Sequence, residues 1–596
     1  MITKSIPVLS TVLIITAYVI LLCKTAKKAV KQITKNKILD ENALITISVI
    51  GAFLIGKEME GAMVILLYEI GKILESKAVN KSRRSISELM NIKPEYANIK
   101  NGDNIETVTP DKVSIGDIIV VKSGEKIPLD GIVTKGEAQI DTSALTGESK
   151  LIDVTENSKV LSGSINAQGL LEIEVTSTYE NSTVNKILQL VENATDKKAK
   201  TETFVSKAAK IYTPVVIGFA ILVAIFMPIL FNVTYDESIY KALVFLVISC
   251  PCSIAISVPL SYFSGIGKAS KKGILIKGSD YLDGLKDIGT IVFDKTGTIT
   301  IGNLEVEEIN SYKEEISKKE ILKYFAMGES FSNHPIAKSI LKKADMDIDL
   351  SQVKNYEEIS GKGIKYEFEG KTIKIGNAKF VEKESSQILG TVLYLKINDE
   401  VVGNIVLKDQ IKPDAKQAIT LLKQMNIKTH MFTGDKKEVA IETAKEVGIP
   451  NVVYEMLPAD KYNKLEEVIK DEPKKTVFVG DGINDSPALA ISDIGVSVNS
   501  GTDIAMDSSD VILTKNDLST IINLINISKE TIKNIKQNLF WAFFYNFLMI
   551  PVAIGVLKPI GISINPMIAS LAMVLSSITV IINTLRLKKQ VWKDRF

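Results

Sequence analysis

Gly289-Thr290-Ile291-Val292-Phe293-Asp294-Lys295-Thr296-Gly297-Thr298 decides how the chain is read. An apolar, β-branched run of this length reads as a short buried strand. The Gly/Thr turn behind it puts the Asp294 carboxylate at the carboxyl end of a sheet, where α/β proteins hold phosphates. A carboxylate so placed is a candidate nucleophile. Alone it would carry little weight; the order of the segments around it gives it weight.

Downstream come Lys408-Asp409, then Met431-Phe432-Thr433-Gly434-Asp435, then Leu457-Pro458-Ala459-Asp460-Lys461, and last Val477-Phe478-Val479-Gly480-Asp481-Gly482-Ile483-Asn484-Asp485. The last is a second buried strand ending in a carboxylate-rich turn. In-line phosphoryl transfer needs a nucleophile, a cation, a hydroxyl donor and a carboxylate for Mg²⁺. Asp294, Lys461, Thr433 and Asp481 are one of each.

Composition bounds the rest. At 596 residues the chain divides into several domains, and 46% hydrophobic content beside 24% charged residues implies membrane spans alternating with soluble parts. A net charge of +2 gives no case for nucleic acid. Apolar stretches at 6–23, 43–56, 59–75, 211–231, 241–263, 537–557 and 564–585 are the candidate spans, the second starting nearer Ile38. The lysine-rich segment 24–37 and the basic tail 585–596 place both soluble insertions in the cytoplasm. The run at 6–23 is followed by lysines and reads as a retained span, not a cleaved signal.

All three cysteines, Cys23, Cys250 and Cys252, lie in apolar segments, so a disulfide framework is not expected. In the fifth span Pro251 separates two of them. Proline breaks the helical hydrogen-bond ladder, which hydrocarbon tolerates only where the break is buried in protein or lines a site. Two thiols flanking such a break suit soft cations, Cu(I), Ag(I), Zn(II), Cd(II) or Pb(II), and not K⁺, Ca²⁺ or Mg²⁺.

Asp294-Lys295-Thr296-Gly297-Thr298 resembles the phosphorylation motif of the P-type ATPases, and Cys250-Pro251-Cys252 ahead of it resembles their heavy-metal branch. The resemblance runs through nearly the whole chain. It implies a multidomain membrane protein: an α-helical transmembrane bundle, a β-rich actuator domain, an α/β haloacid-dehalogenase-like phosphorylation domain and an α+β nucleotide-binding domain. The boundaries it implies are 1–84 for three spans, 85–200 for the actuator and 201–263 for two spans with Cys-Pro-Cys. The phosphorylation domain takes 264–302 and 408–535, the nucleotide-binding domain 303–407, and the last two spans with a cytoplasmic tail 536–596.

Residue roles follow by motif match. Related phosphatases carry a second aspartate two residues after the nucleophile; here Thr296 stands there, so the acyl-phosphate should persist. Thr146-Gly147-Glu148-Ser149 matches the actuator motif, and Glu148 would orient the attacking water. Asp294, Thr296 and Asp481 would hold Mg²⁺, with Asn484 and Asp485 steadying the loop. Glu329, His334, Gly361, Gly363, Gly376 and Asn377 resemble nucleotide-binding positions, and Asp435 reads as a ribose contact or a loop anchor. His430 is given no role.

The implied activity is ATP-driven export of a soft heavy-metal cation through an aspartyl-phosphate, with ATP and Mg²⁺ as cofactors. Location in a prokaryotic cell membrane is implied as well, the cargo being delivered by a metallochaperone or a thiol. Zinc and cadmium pumps of the branch add a lysine and an aspartate from the last two spans. Those spans carry no acid in their cores here. Tyr545, Asn546, Met573 and Ser577 resemble the neutral ligands of copper and silver pumps, so ligand type favours Cu(I) or Ag(I). Flanking segments such as 257–273, 60–64 and 82–87 favour the alternative, Zn(II), Cd(II) or Pb(II). The chain lacks the branch's usual first span and Cys-x-x-Cys domain, being either short or started late. A membrane-tethered phosphatase and a metal sensor are the other classes; Thr296 argues against the first and the full catalytic set against the second.

Overall fold

The computed structural model describes residues 2–36, 40–87, 94, 96–102, 104–142, 151–185, 200–332, 335–346, 349–351, 353–359, 362–383, 390–481, 485–498, 508–556 and 564–589. The chain forms two compact units, Met1–Lys286 with Asn523–Phe596, and Asp287–Ile522.

The first unit opens with helices α1 (Ile2–Asn36), α2 (Glu41–Leu54) and α3 (Glu58–Ser87). The lysine-rich segment continues α1 as further helical turns. Asp40 corrects the expected start of the second span: its carboxylate accepts from the Ala43 N–H at 3.2 Å, an N-cap that begins α2 at Glu41. After α3 the described residues include nine strands, β1 (Ala97–Asn101), β2 (Asn104–Val108), β3 (Ile118–Val121), β4 (Gly131–Lys135), β5 (Ala138–Asp141), β6 (Leu151–Val154), β7 (Lys159–Val160), β8 (Ile165–Gly169) and β9 (Leu171–Val175). They make a six-stranded sheet, β2-β1-β3-β9-β4-β7, and a three-stranded one, β6-β5-β8. Alternate residues such as Ile119, Val121, Val133, Ile140, Leu171 and Ile173 turn into one apolar core.

Helix α4 (Lys200–Phe231) follows, and then the expected fifth span is found as two helices, α5 (Tyr235–Ile248) and α6 (Cys252–Ser270). The Ser249 N–H still bonds the Phe245 carbonyl, whereas the Ile254 and Ala255 N–H groups both turn to the Pro251 carbonyl, so the ladder restarts at the proline. This broken element is the interior of the bundle: 83% of its apolar window is buried, against 22% for 211–231. Strand β10 (Ile274–Ile276) and a short helix, Ser279–Gly284, lead on to the second unit.

That unit contains β11 (Ile288–Asp294), β12 (Thr300–Ser311), β13 (Lys354–Ile359), β14 (Gly363–Phe368), β15 (Lys371–Gly376), β16 (Thr391–Ile397), β17 (Glu400–Ile411), β18 (Lys428–Phe432), β19 (Asn451–Val453), β20 (Lys475–Gly480), β21 (Ile494–Val498) and β22 (Val511–Leu513). Its helices are α7 (Lys318–Glu329), α8 (Pro335–Ala344), α9 (Ala415–Gln424), α10 (Lys437–Val447), α11 (Pro458–Asp471) and α12 (Ser486–Ile491). Within it β22-β21-β20-β11-β18-β19 run side by side, with every pairing parallel. After β11 the chain fills one side of that strand with β18 and β19 and then crosses to β20 on the other. The carboxyl end of β11 is therefore the switch point where α/β sheets bind ligands. The other six strands form an antiparallel sheet, β12-β17-β16-β15-β14-β13. Helices α7 and α8 lend Ile321, Phe325 and Ile340 to its core with Tyr366, Ile373, Ile375 and Ile405.

Helices α13 (Ser519–Ile554) and α14 (Pro566–Lys589) end the described chain. Among the described residues four stretches are long and apolar enough to cross a membrane, Ile211–Phe231, Tyr235–Ser270, Ser519–Ile554 and Pro566–Leu587; α2 is apolar but has only 14 residues. Large apolar side chains such as Phe219, Phe540, Phe547 and Leu571 stand exposed on them, as a lipid-facing surface requires.

Candidate active site and cargo site

All seven residues of β11 are buried, ending at Asp294, and the turn behind it needs Gly297 in a left-handed conformation (φ 74°). A methyl group there would touch the Asp481 carboxylate at 3.4 Å, so the two carboxyl-ended strands bring their turns together. Lys461, from the first turns of α11, donates to Asp294 at 2.6 Å and to Asp485 at 2.8 Å. Burial first, and the charge of Asp485 second, push the Asp294 carboxyl up to about 7 against the pull of Lys461. Burial pulls the Lys461 ammonium down, but the carboxylates of Asp294 and Asp485 outweigh it and hold it above its ordinary value.

Two carboxylates, Asp294 and Asp485, share the Lys461 ammonium, and the charge of Asp481 acts on Asp294 as well; carboxylates gathered in this way suit a cation. Among the described residues no three His, Cys, Asp or Glu side chains close around one point. A Mg²⁺ ion here would complete its shell with phosphate oxygens and water, its usual habit.

Thr433, buried at the end of β18, accepts from the Asp435 N–H at 3.1 Å. Asp435 ion-pairs with Lys295. That pair holds the carboxylate beside the nucleophile's own turn. Thr296 is exposed. Asp485, expected to steady its loop, is a direct partner of Lys461; its buried place at the head of α12 was not visible in sequence.

Glu329 ends α7 nearly buried, and burial, with Glu358 second, raises its carboxyl to about 7. The glycines expected to admit a nucleotide have another reason to be glycine. Gly363 and Gly376 face each other across β14 and β15, and a methyl group on Gly363 would stand 2.0 Å from the Ile375 carbonyl oxygen. Asn377 accepts from the Phe380 N–H and closes the following turn. Glu148, His334, Gly361 and Asn484 lie outside the described residues. His430 is half-buried on β18.

At the helix break Cys250 and Cys252 are both buried, and their sulfurs are joined as a disulfide. One pair two residues apart is no disulfide framework; Pro251 turns both side chains to one side. The Cys252 sulfur lies 3.9 Å from the Met573 sulfur. Ser253 bonds Ser576 at 3.0 Å and Ser577 at 3.3 Å. From α13 the packed cluster around the sulfurs takes Met549, Ile550 and Ala553. Tyr545 and Asn546 are half-buried.

Sequence reasoning also missed an acid. Ser577 donates to Glu75 of α3 at 3.1 Å, and Glu75 is 5% exposed, with Lys72 at 3.5 Å. A glutamate in an apolar span was the available signal.

Two family models match the chain, that of the P-type ATPase actuator domain over residues 91–192 and that of haloacid dehalogenase-like hydrolases over 288–493. A cadmium, zinc and cobalt-transporting ATPase of Bacillus subtilis is 44% identical over 88% of this chain and 76% of its own length. A zinc-transporting ATPase of Synechocystis is 41% identical over 88% and 74%. The crystal structure of a zinc-transporting PIB-type ATPase in the E2.Pi state superposes with a TM-score of 0.65 at 32% identity, covering 96% of this chain and 94% of that one. The chain belongs to the heavy-metal-transporting P-type ATPases. It is a multi-pass membrane protein with its catalytic domains in the cytoplasm, and its enzymatic class is ATP-driven cation transport. On the metal, the relatives back the zinc and cadmium alternative over the copper reading favoured by ligand type.

Proposed function

We propose that the chain exports a soft divalent cation, Zn(II) or Cd(II), from the cytoplasm through a phosphorylated Asp294. The observation that carries the catalytic half is Lys461 bridging Asp294 and Asp485 at the switch point of the sheet. Zn(II) and Cd(II) are the metals that the names of the relatives above share with the soft-ligand chemistry of the helix break.

In this reading Asp294 attacks the terminal phosphoryl group of ATP, Lys461 offsets charge on it as a point cation, and Thr433 donates to it. Asp294, Thr296 and Asp481 would hold Mg²⁺, which would supply the positive charge that lets one anion approach another. Glu329, with His334, Gly361, Gly363, Gly376 and Asn377, belongs to the nucleotide site on the antiparallel sheet. Glu148 then orients the water that releases phosphate. The reduced pair Cys250 and Cys252 takes the cargo with loss of their protons, and Met573 and Ser577 stand beside it. A two-thiol acceptor also suits transfer from a metallochaperone or a small thiol by ligand exchange.

Purified, reduced protein should hydrolyse ATP faster with Zn(II) or Cd(II), and Cys250→Ser and Cys252→Ser should each lose that stimulation. Stimulation unchanged in both variants would remove the proposed cargo site.

A further inference from the structure

Resting on the transport reading above, we infer that the hydrogen bond from Tyr262 to Asp283 is the link through which the state of the sulfur pair governs phosphorylation of Asp294. Tyr262 is a positioning residue in this role and touches neither cargo nor phosphate.

The chain leaves the helical unit after Lys286 and re-enters it at Asn523. A movement carried along the backbone between the sulfurs and Asp294 passes one of these two points. The structure ties both to one cluster. Just before the exit, the Leu282 carbonyl accepts from the Ser528 hydroxyl at 2.7 Å, and Ser528 lies just beyond the re-entry. The next residue, Asp283, accepts from the Tyr262 hydroxyl at 2.8 Å. Tyr262 stands on α6, which begins at Cys252, so about 15 Å of continuous helix joins it to the sulfurs. A rigid element ending in a hydrogen bond is a physical carrier of coupling.

The chemistry of the pair asks for more than packing. Tyr262 is 1% exposed and Asp283 5%. A buried phenol fills space no better than phenylalanine and brings a hydroxyl that needs a partner. A buried carboxylate costs several kcal/mol unless it is paired, and Oδ1 of Asp283 takes both Tyr262 and Lys286, the latter at 2.9 Å. From the turn of Tyr262 onward α6 is also fastened to α13. Ser261 donates to Asn534 at 2.9 Å, the Asn538 amide donates to Ser261 at 3.1 Å, and Lys268 ion-pairs with Glu530 at 2.9 Å. A methyl group at Gly265 would run into the Thr531 hydroxyl. This seam makes α6 and α13 move together. The Tyr262–Asp283 bond adds the short helix Ser279–Gly284, the last helix before β11 and Asp294.

The test is acid-stable labelling of the full-length, reduced protein in detergent, with gel filtration checking each fold. Labelling by ATP is read with Zn(II) and with the metal chelated, and labelling by inorganic phosphate and bound Zn(II) are read beside it. Wild type, Tyr262→Phe, Asp283→Ala and the double variant are compared. Each single variant should lower the ratio of ATP labelling with Zn(II) to that without by about tenfold. The double variant should fall no further, and inorganic-phosphate labelling and bound Zn(II) should match wild type. Asp283→Asn keeps an acceptor for the phenol; it should lose about threefold, and it decides the matter if the others elute as aggregate. A ratio unchanged in the folded variants overturns the inference and leaves the transport reading standing. A ratio that falls only together with inorganic-phosphate labelling assigns the pair to support of the fold and overturns the inference as well. Wild type whose labelling ignores both Zn(II) and Cd(II) overturns the transport reading, and this inference with it.

Discussion

Asp294 and Lys461 show how burial and charge combine at one residue. The carboxyl group is pushed up chiefly by burial, so ionising it needs a compensating cation, and Lys461 is the nearest. Lys461→Met is expected to slow phosphorylation by ATP about a hundredfold or more, read as the rate of acid-stable labelling. The folded-state value of Asp294 lies above the unfolded one, so the native state holds the proton more tightly and stability is lost as pH rises through about 7. Asp294→Asn removes that loss. In metal-free buffer its melting temperature should exceed that of wild type above about pH 8 and match it below about pH 4; a gain that does not vary with pH would contradict the assignment.

Asp294, Lys461, Thr433 and Asp481 were legible because each stands in a local pattern of strand and turn, whatever its distance along the chain. The hydrogen bond from Ser577 to Glu75 was not, because it joins positions 502 apart. Asp485 was half-legible: the motif was read, but the buried ion pair with Lys461 depends on how α11 meets the sheet.

At the scale of the element, the break between α5 and α6 matters most. In an unbroken helix residues two apart point to nearly opposite faces, so Cys250 and Cys252 could not serve one ion. Pro251→Ala restores a donor and allows the helix to close. We expect metal-stimulated ATPase to fall about tenfold or more although both thiols remain; unaltered stimulation would show that the thiols need no break. Proline between two cysteines in an apolar run made this element readable at the outset. The cap at Asp40 was less so, since apolar count alone extended α2 back toward Ile38. In the antiparallel sheet Gly363 has φ 150° and no room for a methyl group. Gly363→Ala should cost about 2–4 kcal/mol of the stability of that sheet, seen as faster amide exchange in β14 and β15, with nucleotide affinity falling as a consequence. A variant as stable as wild type would mean the strands can separate without loss.

For the whole molecule, the metal was the feature least legible in sequence. Met573 and Ser577 are neutral in either setting, so these side chains do not separate a monovalent from a divalent cargo. The fold class was legible because catalytic, actuator and membrane motifs occur in one order, and relatives that match 88% of the chain share it.

The most direct measurement is acid-stable labelling of the purified, reduced protein by ATP labelled at its terminal phosphate, with Zn(II) or Cd(II) present and with both chelated. Labelling that requires the metal, vanishes in Asp294→Asn and is lost in Cys250→Ser is the result predicted. Labelling that persists in Asp294→Asn, or that ignores the metal in wild type, would contradict the account.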